Sequence, residues 1–298
     1  MIYDLIIIGM GPAGISAAIY AKRSGLNVLV FEKNMPGGLM NITNKIENYP
    51  GLSSISGFDL SKKMFEQLIS LDIEYKMEEV VSITSKDIKV IKTKKHKYKT
   101  KTVLIATGRE SRKLKLPNED KLRGKGISYC ALCDAPLFKG KKVAIIGGGN
   151  SALTEALYLS KIVKEVIVIN RGDFLVADDI LEDDIAERKN IKVLLNRKIV
   201  SLEEKDGYLS GIKLDNNEIL EVEGLFVYIG YEPKTDFVKD LDIINAMNYI
   251  KVNDKYETKA KGIYAAGDII DKDVYQIVTA VSEGAIAATN IYRSLYKG

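Results

Sequence analysis

Cysteine, histidine and tryptophan are almost absent from this chain. Its 298 residues contain two cysteines, one histidine and no tryptophan. So few cysteines exclude the disulfide-dense scaffold of a small secreted protein. A structural zinc site needs four ligands, whereas Cys130, Cys133 and His96 amount to three, and His96 lies in a lysine-rich segment. The two cysteines form a single Cys-x-x-Cys, which in a large cytosolic chain is typical of redox chemistry.

The sequence also lacks a strong charge excess and a long apolar run. A formal net charge of +4 does not favour nucleic acid as a partner. The longest uncharged stretch, Leu5 to Ala21, contains three glycines and follows Asp4, unlike the basic start of a signal peptide. No other stretch approaches the ~20 apolar residues of a membrane span. We therefore expect a soluble cytoplasmic protein without a membrane segment, and the length suggests about two domains.

The chain opens with a strand, a glycine turn and a helix. The apolar run Tyr3–Ile8 leads into Gly9-Met10-Gly11-Pro12-Ala13-Gly14, and Glu32 ends the next apolar run. In this pattern Gly9 permits the tight turn, Gly11 lets the backbone approach a pyrophosphate, and Gly14 lets the helix pack on the strand. The free N–H groups of the helix start attract phosphate, and Glu32 is placed for ribose hydroxyls. The segment predicts a dinucleotide site.

A second unit of the same kind begins at Val143. Gly147-Gly148-Gly149-Asn150-Ser151-Ala152 follows its first strand, and Asn170 stands as far after Ala152 as Glu32 stands after Gly14. No acid is therefore present for an NAD ribose, and Arg171 is the one cation for an NADP phosphate. Acidic residues come next, at Asp173, Asp178, Asp179, Glu182, Asp183 and Asp184. Negative charge of this density disfavours a tightly bound nicotinamide nucleotide.

These two units predict an α/β protein with two Rossmann-like, three-layer ββα nucleotide-binding domains, the second inserted into the first. We place the first domain at residues 1–112 and 241–298, and the second at 113–240. Residues 80–103 alternate β-branched and polar residues, which predicts a small antiparallel insertion, and Thr102–Gly108 then returns to the first sheet. A strand near Gly262–Asp268 and a final helix should close the first domain.

The Cys-x-x-Cys offers two thiols that can close a small disulfide ring. Cys130 and Cys133 are expected to straddle the start of a short helical turn, where a thiol has a lowered pKa. Asp134 follows directly and is a candidate proton carrier, because dithiol–disulfide cycling must move protons. The segment predicts a catalytic dithiol, with Cys130, Cys133 and Asp134 as its residues.

Together these motifs resemble the low-molecular-weight thioredoxin reductases over nearly the whole chain. The matching segments are Gly9–Gly14, Pro36-Gly37-Gly38, Glu47-Asn48-Tyr49-Pro50-Gly51, Ala106-Thr107-Gly108, Cys130–Asp134, Gly147–Ala152, Gly267-Asp268 and Gln276–Ala288. In that family FAD occupies the first domain and NADPH the second, the dithiol reduces thioredoxin, and a domain rotation alternates the two partners of the flavin. The resemblance also implies a homodimer.

The resemblance assigns roles to individual residues. Cys133 would face the flavin, Cys130 would attack the thioredoxin disulfide, and Asp134 would be the acid. The residues implied to bind FAD are Gly9, Gly11, Pro12, Ala13, Gly14, Glu32, Gly38, Asn48, Ala106, Thr107, Gly108, Gly267, Asp268, Gln276 and Ile277. No metal site is expected.

The chain departs from the family at the second nucleotide site. The family's His-Arg-Arg run and a further Arg are replaced by Asn170-Arg171-Gly172 and Val176, and the usual acid of the second glycine turn is Asn150. Elsewhere, Tyr275 replaces an Arg and Leu39 a Gln. This pattern makes NADPH doubtful and resembles clostridial-type enzymes that take electrons from ferredoxin. A ferredoxin is acidic, and two basic clusters are docking candidates: Lys92, Lys94, Lys95, Lys97, Lys99 and Lys101, or Lys113, Lys115, Lys121 and Arg123.

Several functions stay open on the sequence. The leading prediction is a thioredoxin-disulfide reductase in which electrons pass through FAD to the dithiol, with reduced ferredoxin as donor. An ordinary NADPH-dependent enzyme with an altered phosphate pocket is the first alternative. A dithiol oxidase that passes electrons from a thiol to oxygen is the second, and a flavin-binding redox sensor without turnover is the third. For the basic run between Lys92 and Lys101, a solvated charged hairpin is the simpler interpretation.

Overall fold

A computed structural model describes residues 1–43 and 45–296 of the chain. The described chain divides into two compact units, one formed by Met1–Glu110 together with the segment from Glu232 onward, the other by Ser111–Tyr231. The assignment of FAD to the first domain and of a nicotinamide-type fold to the second stays a prediction.

In the described chain, each of the two glycine turns lies between a strand and a helix, as predicted. The strands are β1 (Ile2–Ile8), β2 (Val28–Glu32), β3 (Glu74–Met77), β4 (Val80–Thr84), β5 (Lys89–Thr93), β6 (Lys97–Ile105), β7 (Arg109–Ser111), β8 (Ile127–Ser128), β9 (Lys142–Ile146), β10 (Glu165–Ile169), β11 (Ile191–Leu194), β12 (Ile199–Lys205), β13 (Tyr208–Leu214), β14 (Ile219–Leu220), β15 (Gly224–Val227), β16 (Tyr231–Pro233) and β17 (Ile263–Ala265). The α-helices are α1 (Pro12–Arg23), α2 (Gly57–Ser70), α3 (Glu119–Leu122), α4 (Ala131–Asp134), α5 (Asn150–Ser160), α6 (Asp179–Ala186) and α7 (Ile277–Tyr296). Short 3₁₀ helices span Gly38–Ile42, Ala135–Phe138 and Asp236–Leu241.

The first unit is built on a sheet of order β3-β2-β1-β6-β5-β4, and β17 pairs with the second half of β6. Side chains alternate across β1, so Leu5 and Ile7 pack against α1 and α7, whereas Ile6 and Ile8 pack against the opposite layer. That layer contains apolar residues near Ile243 and Ile250, and Ile91 of β5 in the same sheet packs into the same cluster. The first unit therefore has three layers.

One prediction about this sheet is inexact. The basic hairpin strand and the strand that returns to the first sheet are a single strand, β6, which pairs antiparallel with β5 and parallel with β1. Lys99 lies opposite Ile2 and Ile105 opposite Ile8, so β6 accompanies β1 along its whole length. The antiparallel insertion is thus a direct extension of the main sheet.

The second unit repeats the plan with a parallel sheet of order β11-β10-β9-β15-β8. Val143 and Ile145 face α5, where Ala152 and Ala156 are buried, and Ala144 faces the antiparallel strands β12, β13 and β14. The helix α4 packs on the α5 side, since Ala131 and Ala135 belong to the same apolar cluster. The predicted α/β class with two Rossmann-like units is confirmed. In neither unit is any described helix both long and apolar enough to cross a membrane.

Candidate redox site

The first glycine turn leaves an open, positively polarised surface at the start of α1. Gly9 has φ +107°, and a Cβ there would lie 2.4 Å from the carbonyl oxygen of Ala106. A Cβ on Gly14 would lie 1.9 Å from the oxygen of Gly9, so both positions need glycine. Gly11 differs, because no described residue lies within 4 Å of its Cβ position and none caps α1 with its side chain. The free N–H groups in the first turn of α1, which follow Pro12, therefore face open space, as a diphosphate requires.

Glu32 ends β2 beside this turn. Its Oε2 accepts a hydrogen bond from the Met10 N–H at 2.8 Å. Its Oε1 accepts from the N–H groups of Lys33 and Asn34 at 2.8 and 2.9 Å. These three bonds fix the carboxylate at the carboxyl edge of the sheet, and Oε2, which accepts one of them, keeps a lone pair for a ribose hydroxyl.

Most of the other predicted FAD-binding residues meet at the same edge. Ala106-Thr107-Gly108 directly follows β6, and Gly267-Asp268 follows β17 after Ala266, while Ala265 lies opposite Ile105. The side-chain amide of Asn48 donates to Gln276 Oε1 at 3.1 Å, which joins two segments far apart in sequence. A Cβ on Gly38 would lie 3.7 Å from Gly11 Cα. Ile277 begins α7.

The residues of this edge fit a dinucleotide. Gly11 leaves open space next to uncapped N–H groups. In the part of the chain that the structure describes, the buried Oγ1 of Thr107 has no hydrogen-bond partner. A buried polar atom of this kind is costly unless a ligand or water satisfies it. Pro12 and Ala13 open α1, where a Cβ on Gly267 would lie 2.8 Å from Ala13 Cβ, so the edge is closely packed around that space.

Sequence reasoning missed an ionic cluster that surrounds Asp268. Arg109 Nη2 donates to Asp268 Oδ2 at 3.0 Å, and the guanidinium carbon lies 3.8 Å from the ring centroid of Tyr275. Lys272 Nζ lies 3.5 Å from Asp268 and 2.9 Å from Glu283, which in turn accepts the Gly267 N–H at 2.7 Å. The available signal was an Arg directly after Ala-Thr-Gly, together with a Tyr where the family has an Arg.

The dithiol lies on α4 in the second unit. Cys130 and Cys133 form a disulfide, with their Cα atoms 5.3 Å apart. Cys130 is the N-cap of α4, so the predicted position at the start of a helical turn is confirmed. Cys130 is buried with 8% exposure, whereas Cys133 is exposed. The functional roles of the two sulfur atoms stay predictions.

Asp134 is held next to this disulfide by Ser128. The Ser128 hydroxyl donates to Asp134 Oδ2 at 2.6 Å, and its oxygen accepts the Cys130 N–H at 3.0 Å. One hydroxyl thus connects the carboxylate to the backbone of the first cysteine. The arrangement can carry a proton toward the dithiol, provided that Asp134 exchanges it with solvent.

The second glycine turn is covered by its own chain. Gly147 has φ +137° and fills the role of Gly9, but Val176 donates its N–H to Gly148 O at 2.7 Å. A Cβ on Gly149 would lie 3.6 Å from Val176 O, and a Cβ on Gly148 would lie 2.6 Å from the side chain of Asn170. The position that is open at Gly11 is therefore in contact with protein at Gly149.

A carboxylate also lies at the start of α5. Asn150 Nδ2 donates to Asp178 Oδ2 at 3.0 Å, and the Asp178 N–H donates back to Asn150 Oδ1 at 2.8 Å. A fixed negative charge beside a helix N-terminus competes with phosphate for the same positive field. This geometry agrees with the shortage of cations expected from Asn170, Gly172 and Val176.

The lysine-rich hairpin lies far from the first glycine turn. Lys99 pairs with Ile2 at the beginning of β1, whereas Gly9 follows the end of β1. Seven residues of strand separate Lys99 from Ala106, which corresponds to roughly 20 Å. Lys94 pairs with Glu79 at 2.5 Å and Lys101 with Asp4 at 2.7 Å. These facts favour a solvated charged hairpin.

The second basic cluster is partly neutralised. Lys113 pairs with Asp120 at 2.5 Å and Lys121 with Glu204 at 2.6 Å. The guanidinium carbon of Arg123 lies 5.4 Å from the ring centroid of Tyr129. Exposed ion pairs of this kind are weak, so an acidic partner could displace them at low cost. A docking role for this cluster stays a prediction.

Comparisons with known proteins agree with the geometry. The model of the family described as pyridine nucleotide-disulphide oxidoreductase matches residues 3–284. A thioredoxin reductase of Bacillus subtilis is 40% identical over 296 residues, which cover 97% of this chain and 94% of the relative. The solved thioredoxin reductase of Lactococcus lactis is 37% identical, with a TM-score of 0.93 over 99% of this chain and 100% of that chain. A ferredoxin-flavin thioredoxin reductase from Clostridium acetobutylicum is 33% identical, with a TM-score of 0.56 over 99% of each chain.

Proposed function

We propose that this chain, a flavin-dependent disulfide oxidoreductase of the thioredoxin reductase type, reduces thioredoxin with electrons from reduced ferredoxin rather than from NADPH. The chain belongs to the pyridine nucleotide-disulphide oxidoreductase family. The observation that carries the choice of donor is the second glycine turn. Its Gly149 is in contact with Val176, and Asp178 holds a carboxylate at the start of α5.

FAD is the cofactor that the first glycine turn fits. We assign the diphosphate to the open space at Gly11 and the N–H groups that begin α1, and a ribose to Glu32. Thr107 Oγ1 is a donor and acceptor still in need of a partner among the described residues. When bound, FAD supplies the passage of electrons between a donor and the disulfide.

The dithiol performs the exchange with thioredoxin. Two electrons and two protons convert the Cys130–Cys133 disulfide into two thiols, with one S–S bond broken and two S–H bonds formed. The Cys130 thiolate then attacks the thioredoxin disulfide, and the Cys133 thiolate breaks the mixed disulfide to release reduced thioredoxin. Asp134, held by Ser128 at 2.6 Å, holds and releases the proton that each exchange requires.

A ferredoxin satisfies the electron balance without a nucleotide site. It transfers one electron at a time, so two reduced ferredoxins are consumed for each disulfide that is reduced. Its acidic surface needs only a basic docking region, and ion pairs at Lys113 and Lys121 are exposed enough to be exchanged. We also propose that the enzyme is cytoplasmic and homodimeric.

Turnover with different donors tests this function. The FAD-loaded enzyme is mixed anaerobically with oxidised thioredoxin and with NADPH, NADH or photoreduced ferredoxin, and new thiols are counted. We expect thiol release with ferredoxin at least about 100-fold faster than with either nucleotide. Equal or faster release with NADPH would establish the ordinary nucleotide-dependent enzyme, and no release with any donor would refute the reductase. The Cys130→Ser variant is the control and should release none.

A further inference from the structure

Glu155 is a buried carboxyl group for which the reaction described above has no use. It lies on α5 with 8% exposure, and among the described residues its Oε2 has no hydrogen-bond partner. Glu155 lies three residues after Ala152, the last residue of the second glycine turn. The equivalent residue of the first unit, three residues after Gly14, is the buried Ala17. Burying an unpaired acid costs folding free energy, which a purely structural position would avoid by using an apolar residue.

A tyrosine connects the surroundings of Glu155 to the dithiol. The Tyr228 hydroxyl accepts a hydrogen bond from the Ala131 N–H at 2.9 Å, and Ala131 directly follows Cys130. Burial and next the charge of Glu155 raise the pKa of Tyr228, with a smaller contribution from Asp134. Tyr228 also packs against the apolar cluster that Ala131 of α4 and Ala152 and Ala156 of α5 share, so it contacts the core between the helix of Glu155 and the helical turn that carries the cysteines.

Burial also governs the ionisation of Glu155 itself. It raises the pKa of this carboxyl from 4.5 to about 7. The elements packed against α5 are α4, α6, β9 and β10. Their charged and titratable groups are Cys130, Cys133 and Asp134 on α4, Asp179, Glu182, Asp183 and Asp184 on α6, Lys142 on β9 and Glu165 on β10. Glu165 is paired with Lys192 at 2.9 Å and with Lys142 at 3.9 Å.

We propose that Glu155 is a proton-binding positioning residue that, through Tyr228, controls how readily the reduced Cys130–Cys133 dithiol ionises. In its neutral state Glu155 places no charge behind the dithiol, so a thiolate forms at its ordinary cost. Once Glu155 loses its proton, the negative charge disfavours a second anion nearby and raises the pKa of the thiol. The proposal rests on the redox role of the dithiol in the proposed function, and is independent of the electron donor and acceptor.

The pH dependence of thiol alkylation tests this inference. The FAD-loaded protein is reduced chemically, freed of reductant and reacted anaerobically with iodoacetamide from pH 5.5 to 9.5, and each cysteine is followed by mass spectrometry. Because only the thiolate reacts, the rate reports its fraction. We expect the Glu155→Gln variant to react about 3- to 10-fold faster than the native protein at pH 8, which corresponds to a thiol pKa lower by about 0.5 to 1. Below pH 6 the two rates should agree.

Two further variants make the result specific. The Glu187→Gln variant, which changes an exposed glutamate of the same unit, should follow the native curve. In a Tyr228→Phe background the Glu155→Gln substitution should change the rate by less than twofold, because the hydroxyl that holds the Ala131 N–H of the cysteine turn is absent. Identical curves for the native protein and Glu155→Gln would overturn the proposal, and an undiminished effect in the Tyr228→Phe background would overturn the role of Tyr228. Neither readout needs thioredoxin or ferredoxin, so failure here is separate from failure of the proposed function.

Discussion

Gly11 and Gly149 stand at the same position of the two glycine turns, and the space beside them differs. Within residues 1–43 and 45–296, nothing lies within 4 Å of a Cβ placed on Gly11, whereas a Cβ on Gly149 would lie 3.6 Å from Val176 O. The first turn is followed by Glu32, which is fixed by backbone N–H groups, and the second is followed by Asn170, whose side chain packs against Gly148. The comparison teaches that one α/β plan can leave the same glycine position open in one unit and in contact with its own chain in the other.

The charges around the two helix starts differ in the same sense. Neither helix contains an acidic residue in its first turn, so the difference lies in the residues beside it. At the start of α5, Asn150 exchanges two hydrogen bonds with Asp178. Since a helix N-terminus carries roughly half a positive charge, the first is available to a phosphate and the second is already opposed by a carboxylate. The second unit also carries the dithiol.

The largest expected effect comes from placing a carboxylate in each turn. A Gly11→Glu variant should lose its FAD, because a charge at 4 Å from a phosphate costs about 4 kcal/mol, or roughly 1,000-fold in affinity. The matched Gly149→Glu variant should retain FAD within about twofold. Absorbance after gel filtration gives the FAD per chain, and circular dichroism checks the fold. Equal FAD contents in the two variants would contradict the assignment of the diphosphate to the space beside Gly11.

A second test concerns the buried position that is Ala17 in α1 and Glu155 in α5, because, of the two, only Glu155 makes the stability of the protein depend on pH. The folded state holds the Glu155 proton more tightly than the unfolded chain, since its pKa rises from 4.5 to about 7. Stability therefore falls as pH rises from about 4.5 to 7, by about 3 kcal/mol in total. The Glu155→Gln variant lacks this loss. Urea unfolding at pH 5 and pH 8 measures it, and a pH-independent difference between the two proteins would contradict the buried titration.

A third test tries to reopen the second site. The combined Asn170→His, Gly172→Arg and Val176→Arg substitutions restore the cations that the family uses for the NADP phosphate. Each charge-assisted hydrogen bond contributes about 1.5 to 3 kcal/mol, so NADPH should bind at least about 10-fold more tightly. Calorimetric titration measures the affinity, and NADH, which lacks the phosphate, is the matched control. If NADH gained as much as NADPH, the missing cations would not be the reason for weak binding.

The smallest effect concerns the cluster at the carboxyl edge of the first sheet. An Arg109→Met variant loses the bond to Asp268 and the stacking on Tyr275, while Lys272 still faces Asp268 at 3.5 Å. We expect the free energy of unfolding of the FAD-loaded protein to fall by about 1 to 2 kcal/mol. Thermal unfolding measures this change. An unchanged midpoint would show that the cluster is not needed to hold the edge together.

The parts of the protein that could be predicted are those encoded by neighbouring residues. The glycine turns at Gly9 and Gly147 follow from strand, turn and helix signals within short segments, and the helical turn at Cys130 follows from its spacing to Cys133. Strand periodicity gave the two sheets, because side chains buried on both faces need continuous apolar runs.

What could not be predicted depends on contacts between distant segments. Arg109 meets Asp268 only because β6 and β17 end side by side. Tyr228 reaches Ala131 because the strand before it brings its ring to α4. The closing of the second turn by Val176 likewise depends on a loop whose path leaves no pattern in the sequence. Charge counts predicted a shortage of cations there, but not the contact that Val176 makes with Gly148.

The most direct measurement is flavin absorbance during anaerobic mixing. The native FAD-loaded protein is mixed in a stopped-flow instrument with excess NADPH, and in a parallel run with reduced ferredoxin. We predict that the flavin band stays oxidised with NADPH over many seconds and bleaches with ferredoxin. Rapid bleaching by NADPH would contradict the account, because it would show that the second glycine turn still binds and uses a nicotinamide nucleotide.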